Sequence, residues 1–378
     1  MMRSLVLSFG LCFGLLSGSV RCVADSGASE SDRTAIAIEA LSRLKGMDLE
    51  TKPSLKAAVM KVLDSTRGTT NFVTIVRDFQ LQDQNVGLLE VAVKYPAEES
   101  GVEAMRLVLS SHELTQLNAF LQSTNAAVPK AIEAMGNTRE KDIVPVLLPM
   151  VGNNQRDVSV RRQAVKSLAL VQEGATGLLQ LAQEDKLPND VKFVATSELN
   201  QVRWPELKAK AAQVLPLPQG RNTESLPPVA ELLKRTGDSA HGAEAFARQE
   251  VGCINCHRVK DKGVDLGPAL TEIGDKLGKD ALFEAILDPS AGIAFGYEAW
   301  QLELKNGDEA FGIIVSETAE EITIKDTKAI PTRIKKSEIA KRQQMKTSIM
   351  PAGLQQTMST QELVDLVEYL SRLKKATH

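Results

Sequence analysis

Apolar residues recur every three or four positions from about residue 25 to residue 216, in short runs separated by breakers. Pro53, Gly68, Pro96, Gly152-Asn153-Asn154 and Pro188 cut this half of the chain into helices of a few turns each. Three runs repeat: AIEAM at 131–135, AVKSL at 164–168 and ATSEL at 195–199, at spacings of 33 and 31. Each carries small and aliphatic residues on one face, and a second amphipathic helix follows a turn later, as over 142–150 and 175–182. One such pair cannot bury its own apolar face, so the pattern predicts stacked pairs, an α-solenoid over residues 25–214. The periodicity is weaker before residue 125.

The pattern breaks at 215–228, LPLPQGRNTESLPP, where four prolines and a glycine predict a linker. Beyond it, 229–378 reads as a separate, mainly helical domain. Helices are expected over 242–250 and 279–287. Alternation then changes to period two: 297–304 ends at Asn306-Gly307, a hairpin signal, and 310–316, 321–325 and 332–334 continue as strands. This predicts a small antiparallel β block inserted at about 297–339. The last helix, 360–374, opens on a Ser359/Glu362 capping box and buries Leu363, Leu366, Val367, Leu370 and Leu373.

Residues 1–24 are patterned differently. Arg3 gives a basic start, 5–16 is an apolar run too short to span a membrane comfortably, and small residues lead to a cleavage position after Ala24. The expectation is a secretory signal peptide, a periplasmic or secreted protein, and no integral membrane span once the signal is removed. Arg21 is out of place in such a tail and leaves an uncleaved anchor open. Cleavage removes Arg3 and Arg21 and no acid, so the net charge of -3 becomes -5. There is no basic footprint for nucleic acid, and the 4% aromatic content suits stacked helices better than a β-rich barrel.

Cleavage also takes away Cys12 and Cys22, leaving Cys253 and Cys256 as the only cysteines. Two residues apart, they would close a tiny loop and stabilise little as a disulfide. Cys253-Ile-Asn-Cys256-His257 is instead the arrangement for covalent haem, two thiols for two vinyl groups and an imidazole just beyond them for the iron. Structural zinc needs a fourth ligand, and His112, His241 and His378 stand at no familiar spacing. A redox dithiol needs a β-α-β context that the flanks lack.

The flanks resemble the class I cytochrome c fold: Gly242-x-x-x-Phe246 ahead of the motif, Gly267-Pro268-Ala269-Leu270 after it, and Tyr369-Leu370 in the last helix. The resemblance implies that Gly242 and Phe246 pack on the helix of Tyr369. It also implies that the Pro268 carbonyl accepts the other ring N–H of His257, and it sets Leu270 with these supporting residues. A closer resemblance, over about 228–373, is to the haem-binding domain family of Planctomycetes and Verrucomicrobia. It rests on GCINCHRV at 252–259, GPAL at 267–270, ILDPS at 286–290, Gly296-Tyr297, Gly307, SIMPAGL at 348–354 and LVEYL at 366–370, in that family's order. Helical repeats often precede the domain there, and the runs at 131, 164 and 195 look like degenerate HEAT repeats.

The sixth iron ligand is expected from Met350, in a Ser-x-Met-Pro-x-Gly loop that Pro351 and Gly353 shape. Met345 stands among lysines and arginine, and Met358 directly precedes the capping box. Tyr297 and Trp300 shield haem, mark a docking face or, as strand spacing favours, join a sheet core. The expectation is therefore an exported monohaem c-type cytochrome with His257 and Met350 as axial ligands. It would carry electrons rather than act as an enzyme, with a dehydrogenase or another cytochrome as redox partner, docked with help of the helical repeats. The alternatives are a haem enzyme or gas sensor with a labile distal ligand, and a structural adaptor stapled by haem.

Overall fold

The computed structural model describes residues 30–111, 113–216, 226–249 and 251–375. The signal segment, His112, His378 and most of the 215–228 linker lie outside the described residues. No described helix is long and apolar enough to cross a membrane. Contacts divide the chain into two compact units, Met1–Ser65 and Thr66–His378. In the first, α1 (Glu30–Ser42) packs on α2 (Pro53–Ser65). Proline at the first position of α2 costs nothing, since that N–H has no helical partner, and Val59 and Leu63 are fully buried.

The second unit opens with α3 (Thr70–Asp78), α4 (Asn85–Lys94), α5 (Glu99–Ser110), α6 (Thr115–Gln122), α7 (Val128–Thr138) and α8 (Val144–Val151). It continues with α9 (Val158–Leu168), α10 (Gln172–Gln183), α11 (Asn189–Leu199) and α12 (Pro205–Val214). The three repeated runs fall on α7, α9 and α11, and Ala131, Ala164 and Ala195 have no exposed surface. Helix α7 packs on α9 and α9 on α11, while α8 packs on α10 and α10 on α12. Small residues set the spacing. A Cβ on Gly136 would lie 2.4 Å from the Ser167 hydroxyl, which donates to the Ile132 carbonyl at 2.8 Å.

After the linker come α13 (Val229–Leu232), α14 (Ser239–Ala247), α15 (Lys279–Leu287) and α16 (Thr360–Ser371). Their shared core includes Phe246, Val251, Phe283, Leu363, Leu366 and Val367. Between α15 and α16 lies the β block: β1 (Ala299–Leu304), β2 (Glu309–Glu317), β3 (Glu321–Lys325), β4 (Pro331–Lys335) and β5 (Ile339–Gln344). The sheet is antiparallel in the order β4-β3-β2-β1-β5. Sequence patterning finds four of these strands and ends the block at 339. The fifth escapes it because Ile339-Ala-Lys-Arg-Gln-Gln does not alternate: it is an edge strand, and charge on an edge deters further pairing. Trp300 joins the small sheet core around Leu302, Ile322, Ile324 and Ile334, with the Arg342 guanidinium 4.2 Å over its ring.

The block is bolted to the helices. Arg139 Nε, just past α7, donates to Asp326 at 2.9 Å, and the two side chains are only 14% and 8% exposed. Arg106 on α5 donates to Thr332 Oγ1 at 3.1 Å, and the Lys141 backbone N–H donates to Asp308 at 3.1 Å. Arg203 pairs with Glu309 and lies 5.0 Å from the Phe311 ring. The β3–β4 turn inserts Lys328, whose ammonium donates to Asn137 Oδ1 on α7 at 2.9 Å. At the same seam, burial pushes the Glu140 carboxyl up to about 7, against the attraction of Arg106.

Candidate functional site

Two helices frame the site. Asp238 caps α14 by accepting from the N–H groups of Ala240 and His241 at 2.7 and 3.3 Å. At α16 the Ser359 hydroxyl accepts from Glu362 N–H and the Glu362 carboxylate from Ser359 N–H, at 3.1 and 2.7 Å. Such a cap stabilises a helix end by about 1 kcal/mol. The helices cross at Gly242, where a Cβ would stand 2.0 Å from the Asp365 carbonyl oxygen and 2.7 Å from Tyr369 Cβ. Beside that approach the Phe246 and Tyr369 rings meet, centroids 5.8 Å apart.

From α14 the chain turns at Gly252, φ 89°, into the short 3-10 turn Cys253–Asn255. The N–H groups of Cys256 and His257 both donate to the Cys253 carbonyl, at 3.2 and 2.9 Å. The following loop folds back: Leu266 and Gly267 N–H donate to the Cys256 carbonyl at 3.1 and 2.8 Å, and Leu270 N–H to Arg258 at 2.8 Å. This return sets the Pro268 carbonyl 2.8 Å from His257 Nδ1. A Cβ on Gly267 would lie 2.6 Å from the His257 ring, so only glycine lets the loop run this close.

The electrostatics follow from burial. Both cysteines are free thiols; burial pushes Cys253 up to about 11 and raises Cys256 as well. Burial lowers the His257 pKa, and the Pro268 carbonyl opposes it in part. The imidazole is therefore neutral near pH 7. With its Nδ1–H donated to Pro268, the Nε2 lone pair is left for a metal.

Cys256, His257, Leu270 and Met350 line one cavity of about 640 Å³, whose other lining residues are mostly apolar. Met350 arrives on a tied loop: its N–H donates to Ser348 Oγ at 3.1 Å, Ser348 N–H donates to Ser290 Oγ at 3.1 Å, and Gly353 turns the chain at φ 88°. Cys253 packs against the adjoining core. Gly242, Phe246 and Tyr369 do not line this cavity; they stand behind it, at the α14–α16 crossing. Met358 is buried in that core, 1% exposed, and Met345 does not line the cavity. The β block supplies part of the wall. Tyr297 and Ile313 face the cavity, whereas Trp300 does not. Lys276 and Ile313 were not legible as site residues, since neither belongs to a motif.

Residues 239–311 match the family model for cytochrome c. The match starts on the first residue of α14, takes in the cysteine pair and α15, and ends inside β2. No curated protein matches the chain. The chain thus carries a class I cytochrome c-like domain, which implies covalently bound haem c and an electron-transfer function. The residues present fit that group: two uncharged thiols, an imidazole with a free Nε2, a thioether, and an apolar cavity of the size a large flat cofactor needs.

Proposed function

We propose, from this cytochrome c-like domain, that the protein is an exported electron carrier with one covalent haem, exchanging single electrons with another cytochrome or a dehydrogenase. The observation that carries the reading is that His257, fixed by Pro268, and Met350, fixed by its loop, line the same apolar cavity as Cys256. When bound, haem supplies a ferric/ferrous couple. Cys253 and Cys256 would hold it covalently, and His257 and Met350 would ligate its iron. A thioether ligand would favour the ferrous state, and two protein ligands would leave no open position for substrate. The wall around that centre is mostly apolar.

The basic, apolar, then small-residue pattern of 1–24 supports export. The packing of α7 on α9 and α9 on α11, and of α8 on α10 and α10 on α12, supports a HEAT-like solenoid. Arg106, Arg139 and Lys141 use part of that layer to grip the β block, so partner docking falls to its remaining surface. A helical layer followed by a haem domain with a β insertion favours the Planctomycete and Verrucomicrobium type.

Mass spectrometry of the exported protein tests this. One haem per chain is expected, lost in Cys253→Ala with Cys256→Ala. The ferric spectrum should be low-spin with the weak long-wavelength band of methionine–iron bonding. High-spin ferric haem that binds cyanide readily would support the enzyme or sensor reading instead.

A further inference from the structure

With the His257 imidazole neutral, Lys276 is the one charged residue among the described residues lining the cavity, and it lies exposed at the rim. Tyr297, just ahead of β1, lines the wall. Among the described residues, neither the Lys276 ammonium nor the Tyr297 hydroxyl has a hydrogen-bond or ion-pair partner. Four other cations of this domain are engaged: Lys279 and Arg372 with Glu368, Lys325 with Asp265, Arg248 with Glu362. A ligand that fits has an apolar body and an anionic end, because a carboxylate at an apolar rim needs a charged or hydroxyl donor.

Both residues sit on anchored backbone. Lys276 follows the 3-10 turn Ile273–Asp275, where Gly274 N–H donates to the Leu373 carbonyl at 2.9 Å and a Cβ on Gly274 would meet the Ser371 carbonyl at 2.2 Å. The end of α16 therefore fixes the lysine's stem. Tyr297 N–H donates to the Ala294 carbonyl at 3.0 Å, two residues before β1 begins.

We propose that Lys276 and Tyr297 seat the propionates of the haem, the ammonium pairing with a carboxylate and the phenol O–H donating to one. This rests on the haem reading above. It gives the segment that leads into β1 a direct part in cofactor recognition.

The test uses the exported, haem-loaded protein with haem ¹³C-labelled at the propionate carboxyls, and the variants Lys276→Gln and Tyr297→Phe. Mass spectrometry comes first: absence of haem from the parent protein refutes the underlying reading, separately from this inference. In redox-difference infrared spectra the labelled carboxylate bands should shift in both variants. Lys276→Gln should also lower the midpoint potential, the ferrous-to-ferric ratio at fixed potential falling about tenfold, ~59 mV for one electron. Lys279→Gln, whose ammonium is committed to Glu368, should leave the labelled bands in place. Labelled bands unchanged in either Lys276→Gln or Tyr297→Phe overturn the proposal. A potential change in Lys276→Gln without a band shift does so too, since it marks a charge acting at a distance.

Discussion

Replacing Gly242 with alanine sets two effects of opposite sign against each other. Alanine in a helix is better than glycine by about 1 kcal/mol. At this position, however, the added methyl would stand 2.0 Å from the Asp365 carbonyl oxygen, 2.5 Å from its carbon and 2.7 Å from Tyr369 Cβ. Carbon contacts are comfortable at about 3.5–4.0 Å. The atoms in the way are mainly backbone, so no rotamer change relieves the clash, and α14 must back off α16 by roughly 1 Å. A gap of that size forfeits a quarter to a half of each contact across it. The contacts concerned include the Phe246–Tyr369 pair and the core around Leu363 and Leu366. Overpacking of this kind costs about 1–3 kcal/mol and occasionally more, and the rigid obstacle puts it at the upper end. After the propensity gain, Gly242→Ala should lose about 2 kcal/mol, a fall of about 3 °C in Tm for the unit Thr66–His378 at an unfolding entropy of about 2.1 cal/mol/K per residue. The assay is thermal unfolding by circular dichroism beside Gly292→Ala, where a Cβ meets nothing within 4 Å and Tm should hold. A Gly242→Ala protein melting at or above the parent would refute the close helix crossing.

Three further outcomes are expected. Met350→Ala should turn the haem-loaded ferric protein high-spin and let the ferrous form bind CO readily; an unchanged spectrum would remove Met350 from the iron. Arg139→Ala leaves the 8%-exposed Asp326 carboxylate without its ion-pair partner, held only by two backbone N–H groups, and should cost about 3 kcal/mol in urea denaturation, part of it recovered by adding Asp326→Asn. Burial holds Glu140 up to about 7 against an ordinary 4.5, so the folded chain binds an extra proton between those values. Its contribution, on the order of 3 kcal/mol, is full below pH 4.5 and is lost as pH rises through 7. Glu140→Gln should flatten that slope in stability measured from pH 4 to 8.

Local signals were legible and long-range ones were not. The Ser359/Glu362 box starts α16 where the sequence puts it, because a cap depends on residues three apart. The small residues of the three repeated runs are buried because helix spacing demands them. Pro268 lies beside His257 because eleven residues suffice for a return loop. By contrast, no local pattern announces that Tyr297 lines the cavity while Trp300, three residues on, joins the sheet core. The grip of Arg139 on Asp326 spans 187 positions and depends on how the sheet folds back. Lys276 lay in no motif, and its position at an apolar rim is visible only in three dimensions.

Lys325 and Asp326 are neighbours with different obligations. The Lys325 ammonium donates to the Asp265 carbonyl at 2.7 Å, in the loop that returns to His257, while Asp326 holds Arg139 at the end of α7. Side chains alternate along a strand, so a one-residue slip would turn both away from their partners. Asp326 also closes the turn by accepting from Lys328 and Ile330 N–H, at 2.8 and 2.9 Å. A single-codon insertion or deletion at this turn would therefore uncouple the histidine loop from the helices in one event, where a substitution of Lys325 or Asp326 would cut only one of the two ties.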